Sequence, residues 1–361
     1  MSIDDLRKRI DSLDEELVRL LGERMRVAQA IGEEKEKEGL PILDAARERL
    51  VFDKVRELGV RSGVDADDVE HIYERIVEAA KGMQHTTVAF QGEPGAFSEQ
   101  AAVEFFGRSV STLPQPTFDA VFTSVTEDRT RFGIVPVENS SEGSISRVYD
   151  LFLDYDVRVT GETALRIVHC LIAAPGVELG DIKKVYSHPQ ALAQCGAFLG
   201  HLGVELVPSY DTAGSVKLLK EQGATDAAAV AGMRAAELYG MNVLAKSIED
   251  SQNNYTRFFI LSKRAMSASG RDKTSIVFSV QHEPGHLFEA LRVLSDRGVN
   301  LTKIESRPTR QKPWDYNFYL DFEGHHEEPH FAESLRLMSQ HCVFLRVLGS
   351  YPKAKPIWRS L

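Results

Sequence analysis

The chain has 361 residues, of which 43% are hydrophobic and 27% are charged, and its formal net charge is −10. This composition predicts a globular protein of two or three domains, and the acidic balance argues against nucleic acid as a partner, because phosphate binding needs a basic face. Three cysteines are too few for a disulfide framework, and the chain lacks both a signal-peptide apolar run and a membrane-length apolar stretch, so we expect a cytoplasmic protein.

The first predicted element is a long helix in which apolar residues recur every three or four positions from Ile3 to Ile31. Such a stripe is typical of a coiled-coil core, and Arg24 occupies one of its core positions. An unpaired buried charge costs about 3–5 kcal/mol, so Arg24 should meet an anion. At about 100° per residue, Lys35 lies on nearly the same side as Arg24. Arg7 points away and would reach the same pocket only from a paired copy of the helix.

Two shorter helices follow. The second is predicted from Asp44 to about Leu58, and Asp44, Arg47 and Glu48 share one of its faces at spacings of three and four. The third is predicted from about Asp65 to Gln84, whose amide closes its apolar face. Each polar residue is also compatible with an ordinary solvated surface, so spacing alone leaves the roles open.

Three helices with this residue pattern resemble the all-helical chorismate mutase family over residues 1 to 85. The positions that match the family's active site are Arg7, Arg24, Lys35, Asp44, Arg47, Glu48 and Gln84. One departure is Ala80, where relatives often have a serine. The resemblance implies an intertwined dimer in which Arg7 enters the partner's site. It also implies that Lys35, Gln84 and Glu48 are catalytic and that the other four bind substrate.

Residues 86–264 alternate strand and helix patterns, which predicts an α/β domain long enough for two lobes with a cleft. Residues 165–173 are predicted as one strand and 189–202 as one helix. Polar loops follow several strands, and ligands in open α/β sheets bind beyond strand ends, so these loops could converge. The glycine turn at 91–98 is not G-x-G-x-x-G, which does not support a nicotinamide cofactor. Each loop alone is also compatible with a plain capped turn.

Four segments of this region are similar, in order, to signature segments of the prephenate dehydratase family: FQGEPGAFS (90–98), VPVENSSEG (135–143), YSHPQALAQC (186–195) and NYTRFF (254–259). The resemblance implies a two-lobed α/β fold like that of periplasmic binding proteins. It implies that Thr256 is the acid for the departing hydroxyl, and that substrate is bound by Asn139, Ser187, Gln194 and Arg257. Loss of carbon dioxide and hydroxide from a cyclohexadienyl ring needs no metal and no cofactor.

Residues 274–352 show a β-α-β-β-α-β pattern, which predicts an α+β ferredoxin-like unit. Two of its segments resemble the phenylalanine-binding ACT domain, and the resemblance implies an allosteric site at Gly285, His286, Leu287, Glu305, Ser306, Arg307 and Pro308. A structural dimerisation module is the alternative. Residues 326–330 match the zinc pattern H-E-x-x-H, but Pro329 cannot lie inside a helix and should open the next one.

Together the three resemblances imply a multidomain enzyme of phenylalanine synthesis, with domains at 1–85, 86–264 and 274–355. It would rearrange chorismate to prephenate, convert prephenate to phenylpyruvate, be inhibited by phenylalanine, and form a homodimer or higher homo-oligomer. The alternatives are a mutase fused to an arogenate dehydratase, and a non-catalytic amino-acid sensor. Thr256 and the seven matched mutase residues disfavour the sensor.

Overall fold

The structure, a computed structural model, describes residues 2–37, 45–82, 86–309 and 315–354. Asp44 and Gln84 of the predicted mutase site lie outside the described residues. The chain separates into two compact units. One contains residues 1–87 with 103–111, and the other contains residues 88–102 with 112–361. Among the helices within the described ranges, none is long and apolar enough to cross a membrane.

The first unit contains the three predicted helices, α1 (Ile3–Lys37), α2 (Ala45–Arg61) and α3 (Ala66–Gly82). Asp65 caps α3, because its Oδ1 accepts hydrogen bonds from two backbone N–H groups of the first turn. Arg56 of α2 ties the two shorter helices together through ion pairs with Asp67, at 2.7 Å, and with Glu70. The prediction of an all-α three-helix region is confirmed.

The middle of the chain forms two α/β lobes, as predicted. The first lobe has the sheet order β2-β1-β3-β11-β5, with β4 paired to β3. Its strands and helices are β1 (Thr87–Gln91), β2 (Ser111–Gln115), β3 (Phe132–Asn139), β4 (Gly143–Ser144), β5 (Arg158–Arg166), β11 (Tyr255–Ser262), α4 (Phe97–Phe106), α5 (Phe118–Thr126) and α6 (Ser146–Asp154).

The second lobe has the sheet order β10-β6-β9-β7-β8. Its elements, apart from a short 3₁₀ turn, are β6 (Cys170–Ala173), β7 (Lys184–Ser187), β8 (Glu205–Pro208), β9 (Ala227–Ala231), β10 (Asn242–Lys246), α7 (Pro189–Gln194), α8 (Gly196–Leu202), α9 (Thr212–Gln222) and α10 (Met233–Tyr239). The chain crosses between lobes twice, from β5 to β6 and from β10 to β11.

Two predicted elements are divided in the structure. The predicted strand 165–173 is the end of β5 and the whole of β6, which belong to different sheets. Residues 167–169 make the crossing, and an apolar run does not reveal such a change of sheet. The predicted helix 189–202 is interrupted at Cys195, whose φ of −113° and ψ of 20° are not helical. The break separates α7 from α8.

The C-terminal residues form the predicted ferredoxin-like unit. Its sheet is antiparallel with the order β13-β14-β12-β15. The elements are β12 (Asp272–Ser279), α11 (His286–Asp296), β13 (Leu301–Pro308), β14 (Tyr316–Glu323), α12 (Pro329–Ser339) and β15 (Phe344–Pro352). Pro329 is the first residue of α12, so His326 lies before the helix and His330 lies within it.

The sheet of this C-terminal unit packs directly on the first lobe. Tyr319 and Tyr351 belong to the same buried cluster as Val159 and Phe259 of the first lobe. A Cβ atom at Gly349 would overlap the carbonyl oxygen of Val159, so β15 lies against the backbone of β5. The C-terminal sheet therefore backs the strand that carries Thr256.

Candidate active sites

A cavity of about 170 Å³ lies between the two lobes. The first lobe contributes Asn139 and Thr256 to its lining, and the second contributes His188 and Gln194. Asn139 is the last residue of β3 and Thr256 is the second residue of β11. The two strands pair with Asn139 directly opposite Thr256. The structure therefore brings together three of the residues predicted for the dehydratase site, Asn139, Gln194 and Thr256.

A hydrogen bond joins Asn139 to Thr256, and the surrounding backbone determines its direction. The Oδ1 atom of Asn139 accepts from the backbone N–H groups of Ser141, at 2.9 Å, and Glu142, at 3.1 Å. Its Nδ2 atom must therefore face the other way, where it donates to Thr256 Oγ1 at 2.9 Å. Because Thr256 Oγ1 accepts this bond, the hydroxyl hydrogen remains available for donation to a group in the cavity.

The network continues from Asn139 to the second lobe. Asn139 Nδ2 also donates to Asn254 Oδ1 at 2.8 Å, and Asn254 Nδ2 donates to Gln194 Oε1 at 3.0 Å. His169 Nε2 lies 3.0 Å from the same Gln194 oxygen and must donate to it, since a carbonyl oxygen only accepts. Burial lowers the pKa of His169, and the bond to Gln194 offsets this in part. The ring is therefore neutral at pH 7, with its hydrogen on Nε2.

Sequence reasoning missed two members of this network. Asn254 stands in the NYTRFF segment, two residues before Thr256, and same-face spacing on a strand was the signal that could have found it. His169 fell within the stretch predicted as one continuous strand, which concealed its place at the crossing between lobes. Both side chains are buried, with 2% of their surface exposed.

Ser187 is not brought to the cavity. It ends β7, it is fully buried, and its hydroxyl donates to the carbonyl oxygen of Val230 at 2.6 Å. The hydroxyl therefore links β7 to β9, and the position does not support the predicted contact with substrate. The next residue, His188, lines the cavity, and its Nδ1 accepts from the backbone N–H of Gln190 at 3.3 Å.

Arg257 also lies away from the cavity, because successive side chains of a strand point to opposite faces. Its guanidinium contacts Asp321 at 2.7 Å and Glu162 at 2.8 Å, and it donates to the hydroxyl of Tyr351 at 3.1 Å. Lys273 Nζ lies 2.9 Å from Glu162. This buried cluster joins β11 to the C-terminal sheet. The structure therefore does not bring Arg257 to the cavity with Asn139 and Thr256, and the sequence segment does not show on which face of the strand a residue lies.

In the helical unit, Arg24 has the features of an anion-binding residue. Arg24 is half-buried, its Nη1 is buried without a hydrogen-bond partner among the residues that the structure describes, and its guanidinium lies 6.0 Å from the centre of the Tyr73 ring. Lys35 and Glu48 are half-buried, whereas Arg47 is exposed. Arg7 pairs with Asp4 at 3.6 Å, and 74% of its side chain is exposed. The buried Nη1 of Arg24 can therefore donate a hydrogen bond to an anion. Arg7, by contrast, is exposed to solvent.

The apolar stripe of α1 is not buried within its own chain. Its members are 46% to 69% exposed, namely Ile3, Leu6, Ile10, Leu13, Leu17, Leu20, Val27 and Ile31. Exposed apolar surface of this length marks a site of association in most proteins.

The predicted effector residues occupy two places. Gly285 has a φ of +90°, which favours glycine, and stands at the N-cap of α11, followed by His286 and Leu287. On β13 the side chains alternate, so Glu305 and Arg307 face the first lobe, where Arg307 pairs with Asp150 at 3.1 Å.

Ser306 and Pro308 are exposed. Residues 305–308 therefore alternate between the two faces of β13. Pro308 and the segment 281–283 line a second cavity of about 910 Å³.

Comparisons with known proteins agree with this architecture. Family models match residues 6–85 as chorismate mutase type II, 88–266 as prephenate dehydratase and 274–336 as an ACT domain. The bifunctional chorismate mutase/prephenate dehydratase of Aquifex aeolicus is 43% identical, and the match covers 97% of this chain and 98% of that protein.

Two solved structures resemble the chain over about three quarters of its length. Prephenate dehydratase of Arthrobacter aurescens in complex with L-Phe is 33% identical, with a TM-score of 0.69 over 74% of this chain and 90% of that one. GqqA, described as a quorum quenching acylase, is 35% identical with a TM-score of 0.69, over 76% of this chain and 100% of that one. From its three matched domains and its full-length relatives, the chain belongs to the family of bifunctional chorismate mutase/prephenate dehydratases.

Proposed function

We propose that the helical unit rearranges chorismate to prephenate and that the cavity between the two lobes converts prephenate to phenylpyruvate. The observation that carries the second activity is the hydrogen bond from Asn139 to Thr256. The arogenate alternative is not favoured, because relatives that match nearly the whole chain are named for prephenate.

The dehydratase chemistry suits a neutral proton donor. As the ring carboxylate leaves as carbon dioxide, its bonding electrons enter the ring and the bond to the ring hydroxyl breaks, which makes the ring aromatic. The departing oxygen gains negative charge and needs a donor. Threonine is a weak acid in water, so Thr256 acts as a closely placed hydrogen-bond donor, and Asn139 keeps its hydrogen directed away from the network. The apolar wall that includes Phe258 and Ile145 limits access of water.

The mutase chemistry needs positive charge around a dianionic substrate. A pericyclic rearrangement is accelerated by holding the reactive conformer and by stabilising the ether oxygen as its bond breaks. We assign Arg24 to a substrate carboxylate, because its Nη1 is buried and has no hydrogen-bond partner within the described part of the chain. Lys35, together with Gln84, is assigned to the ether oxygen. Glu48 and Asp44 hold the ring hydroxyl, and Arg47 supports them.

A second copy of the chain completes this site in our proposal. The exposed apolar stripe of α1 is covered when two long helices pair, and burial of this apolar surface drives the association. Arg7 points about 100° away from Arg24 around the helix, and it reaches the site of the partner rather than its own. We therefore propose a homodimer whose two mutase sites are shared.

Phenylalanine is the proposed effector of the C-terminal ACT domain. The solved relative in complex with L-Phe supports this ligand. In the present chain, Pro308 and the segment 281–283 line one cavity, beside the glycine turn that opens α11. Inhibition requires that phenylalanine prefer a state in which the Thr256 cavity is unproductive, with a coupling of typically 1–3 kcal/mol.

A coupled assay tests the proposal. Chorismate, prephenate and arogenate are supplied in parallel, and loss of substrate and appearance of phenylpyruvate or phenylalanine are followed. We expect turnover of chorismate and prephenate, with phenylpyruvate as the end product. Turnover of arogenate in place of prephenate would contradict the dehydratase assignment, and turnover of none would favour a sensor.

A further inference from the structure

The face of the first-lobe sheet opposite the cavity is held by the ACT domain. Asn139 and Thr256 point to the cavity, so their chain neighbours Glu138 and Arg257 point to the other face. There Glu138 Oε2 lies 3.0 Å from Lys303 Nζ, and Arg257 Nη1 lies 2.7 Å from Asp321 Oδ2. Both residues of the Asn139–Thr256 pair therefore adjoin a residue that is ion-paired to the ACT domain.

Side chains of β13 contact the β3–β4 hairpin, residues 138–144, whose turn orients the Asn139 amide. Strands β3 and β4 pair at Glu138 and Ser144, and the turn between them supplies the two backbone N–H groups that orient Asn139. Lys303 Nζ donates to Ser144 Oγ at 2.8 Å and lies 3.3 Å from Glu305. Ser144 in turn donates to Glu305. Lys303 thus contacts both strands of the hairpin, and Glu305 contacts one.

The two ion pairs differ in burial. Arg257 and Asp321 expose 17% and 7% of their side chains, whereas Lys303 and Glu138 expose 11% and 38%. The free energy needed to break a deeply buried ion pair exceeds the usual free energy of allosteric coupling. We therefore expect the Arg257 cluster to stay intact in every state of the ACT domain. Glu138 is half-exposed and its Oε2 also lies 3.8 Å from Arg257 Nη1. The Lys303–Glu138 pair therefore borders the Arg257 cluster, and its exposed partner makes it the weaker of the two pairs.

We propose that Lys303 and Glu305 are positioning residues of the dehydratase. By holding the hairpin 138–144 they hold the Asn139 amide, and the amide sets the direction of the Thr256 hydroxyl. A ligand that shifts β13 would loosen the hairpin and disorder the proton donor without entering the cavity. The regulatory part of this inference rests on the proposed function, in which phenylalanine binds the ACT domain.

The test uses the full chain with Lys303→Met, which removes the ammonium group and keeps an unbranched stem beside the Tyr149 ring, whose centre lies 5.3 Å from Nζ. We expect kcat on prephenate to fall about tenfold with KM changed less than about twofold, as for an interaction expressed in the transition state. Lys303→Arg should recover most of the rate. Mutase turnover, which depends on the other unit, should stay unchanged.

A matched control is Lys353→Met. Lys353 pairs with Glu323 in the same domain, and neither residue contacts the hairpin, so kcat should match the unaltered protein. Glu138→Gln removes the partner charge with little change of shape, and Arg257, which lies 3.8 Å from the same carboxylate, keeps its closer pairs with Asp321 and Glu162. This variant is the second test if Lys303→Met is unfolded at the assay temperature. A kcat within about twofold of the unaltered protein in the folded variants would overturn the positioning role.

Binding of phenylalanine is measured by calorimetry beside inhibition. We expect Lys303→Met to bind phenylalanine and to show a smaller ratio of uninhibited to inhibited rate. Equal inhibition in Lys303→Met and the unaltered protein would overturn the regulatory part of the inference. Failure of phenylalanine to bind the unaltered protein would instead contradict the effector assignment, and the positioning role would then be judged on kcat alone.

Discussion

Asn139 Nδ2 lies 2.9 Å from Thr256 Oγ1, and the hydrogen bond runs from the amide to the hydroxyl. Two backbone N–H groups occupy the other end of the amide, so the direction does not depend on a substrate. Within this network the hydroxyl hydrogen of Thr256 is therefore not used in a hydrogen bond and can be donated to the substrate. The neighbouring groups thus orient a neutral hydroxyl as a hydrogen-bond donor.

Removal of the Thr256 hydroxyl should abolish most dehydratase turnover. Thr256→Val is nearly isosteric and removes only the donor, so kcat on prephenate should fall roughly 100- to 1000-fold, with mutase turnover unchanged. Thr256→Ser keeps the hydroxyl and should retain much of the rate. A loss confined to KM would make Thr256 a binding residue.

Asn139→Asp should be as damaging as loss of the hydroxyl. A carboxylate at this position still accepts hydrogen bonds from the backbone N–H groups of Ser141 and Glu142. Its other oxygen must accept from the hydroxyl of Thr256, so the hydroxyl hydrogen is no longer available to the substrate. We expect a fall in kcat of roughly 100-fold, measured with prephenate at saturation. Asn254→Asp is the comparison, because it stands one bond further from Thr256 and should cost less. Equal rates for Asn139→Asp and the unaltered protein would contradict the proposed direction of the bond.

Lys35→Ala should separate the two activities. Loss of the cation at the ether oxygen should cost about 3 kcal/mol or more of transition-state stabilisation, measured as kcat/KM for chorismate. Turnover of prephenate by the same protein serves as the internal control and should persist. Near-normal mutase turnover would show that the assignment of Lys35 is wrong.

Leu17→Glu should disrupt the proposed dimer and the mutase together. Leu17 is 57% exposed within its own chain, so the substitution is tolerated in a monomer and places charges at the centre of the paired helices. We expect a smaller species in sedimentation and loss of mutase turnover. Leu238→Glu is the matched control, because Leu238 is 50% exposed on α10 and should change neither property. A dimer that persists with full mutase activity would argue against pairing through this stripe.

Acid should weaken the ion pair between Arg257 of the dehydratase domain and Asp321 of the ACT domain. Burial alone raises the pKa of Asp321, but attraction by Arg257 and Lys273 outweighs it and holds the pKa below the usual 3.8. A carboxylate with a lowered pKa stabilises the folded protein above its unfolded pKa, and this contribution is lost as the pH falls below about 4.

The free energy of unfolding of Asp321→Asn should lie about 3–5 kcal/mol below that of the unaltered protein at pH 7, and the difference should narrow below pH 4. Urea unfolding over a pH series measures it. The surface pair of Asp128 with Lys263 is the comparison, and Asp128→Asn should change stability by at most about 1 kcal/mol. A constant difference for Asp321→Asn across the pH range would contradict the assigned linkage.

The sequence was sufficient to predict elements whose pattern is local. The three helices of the first unit and the order of the ferredoxin-like unit were predicted correctly, because apolar spacing and turn residues act over a few positions. The strands of the middle region that were not predicted are β2, β4, β8, β10 and the part of β5 before residue 165. Of these, β2, β8 and β10 are edge strands of their sheets. Their side chains are largely half-buried or exposed, so they lack the continuous apolar run that identified the buried strands.

Only the tertiary structure decided which polar residues meet. Asn139 and Thr256 are 117 residues apart in sequence, and strand pairing places them opposite each other. Ser187 and Arg257 stand in equally recognisable segments, yet the pleat of their strands directs them away from the cavity. Sequence by itself determined the fold class of each region and most of the helices, because these depend on local periodicity. The face of each strand, the direction of the Asn139 amide and the contact of Lys303 with the hairpin depend on long-range pairing, which no local pattern encodes.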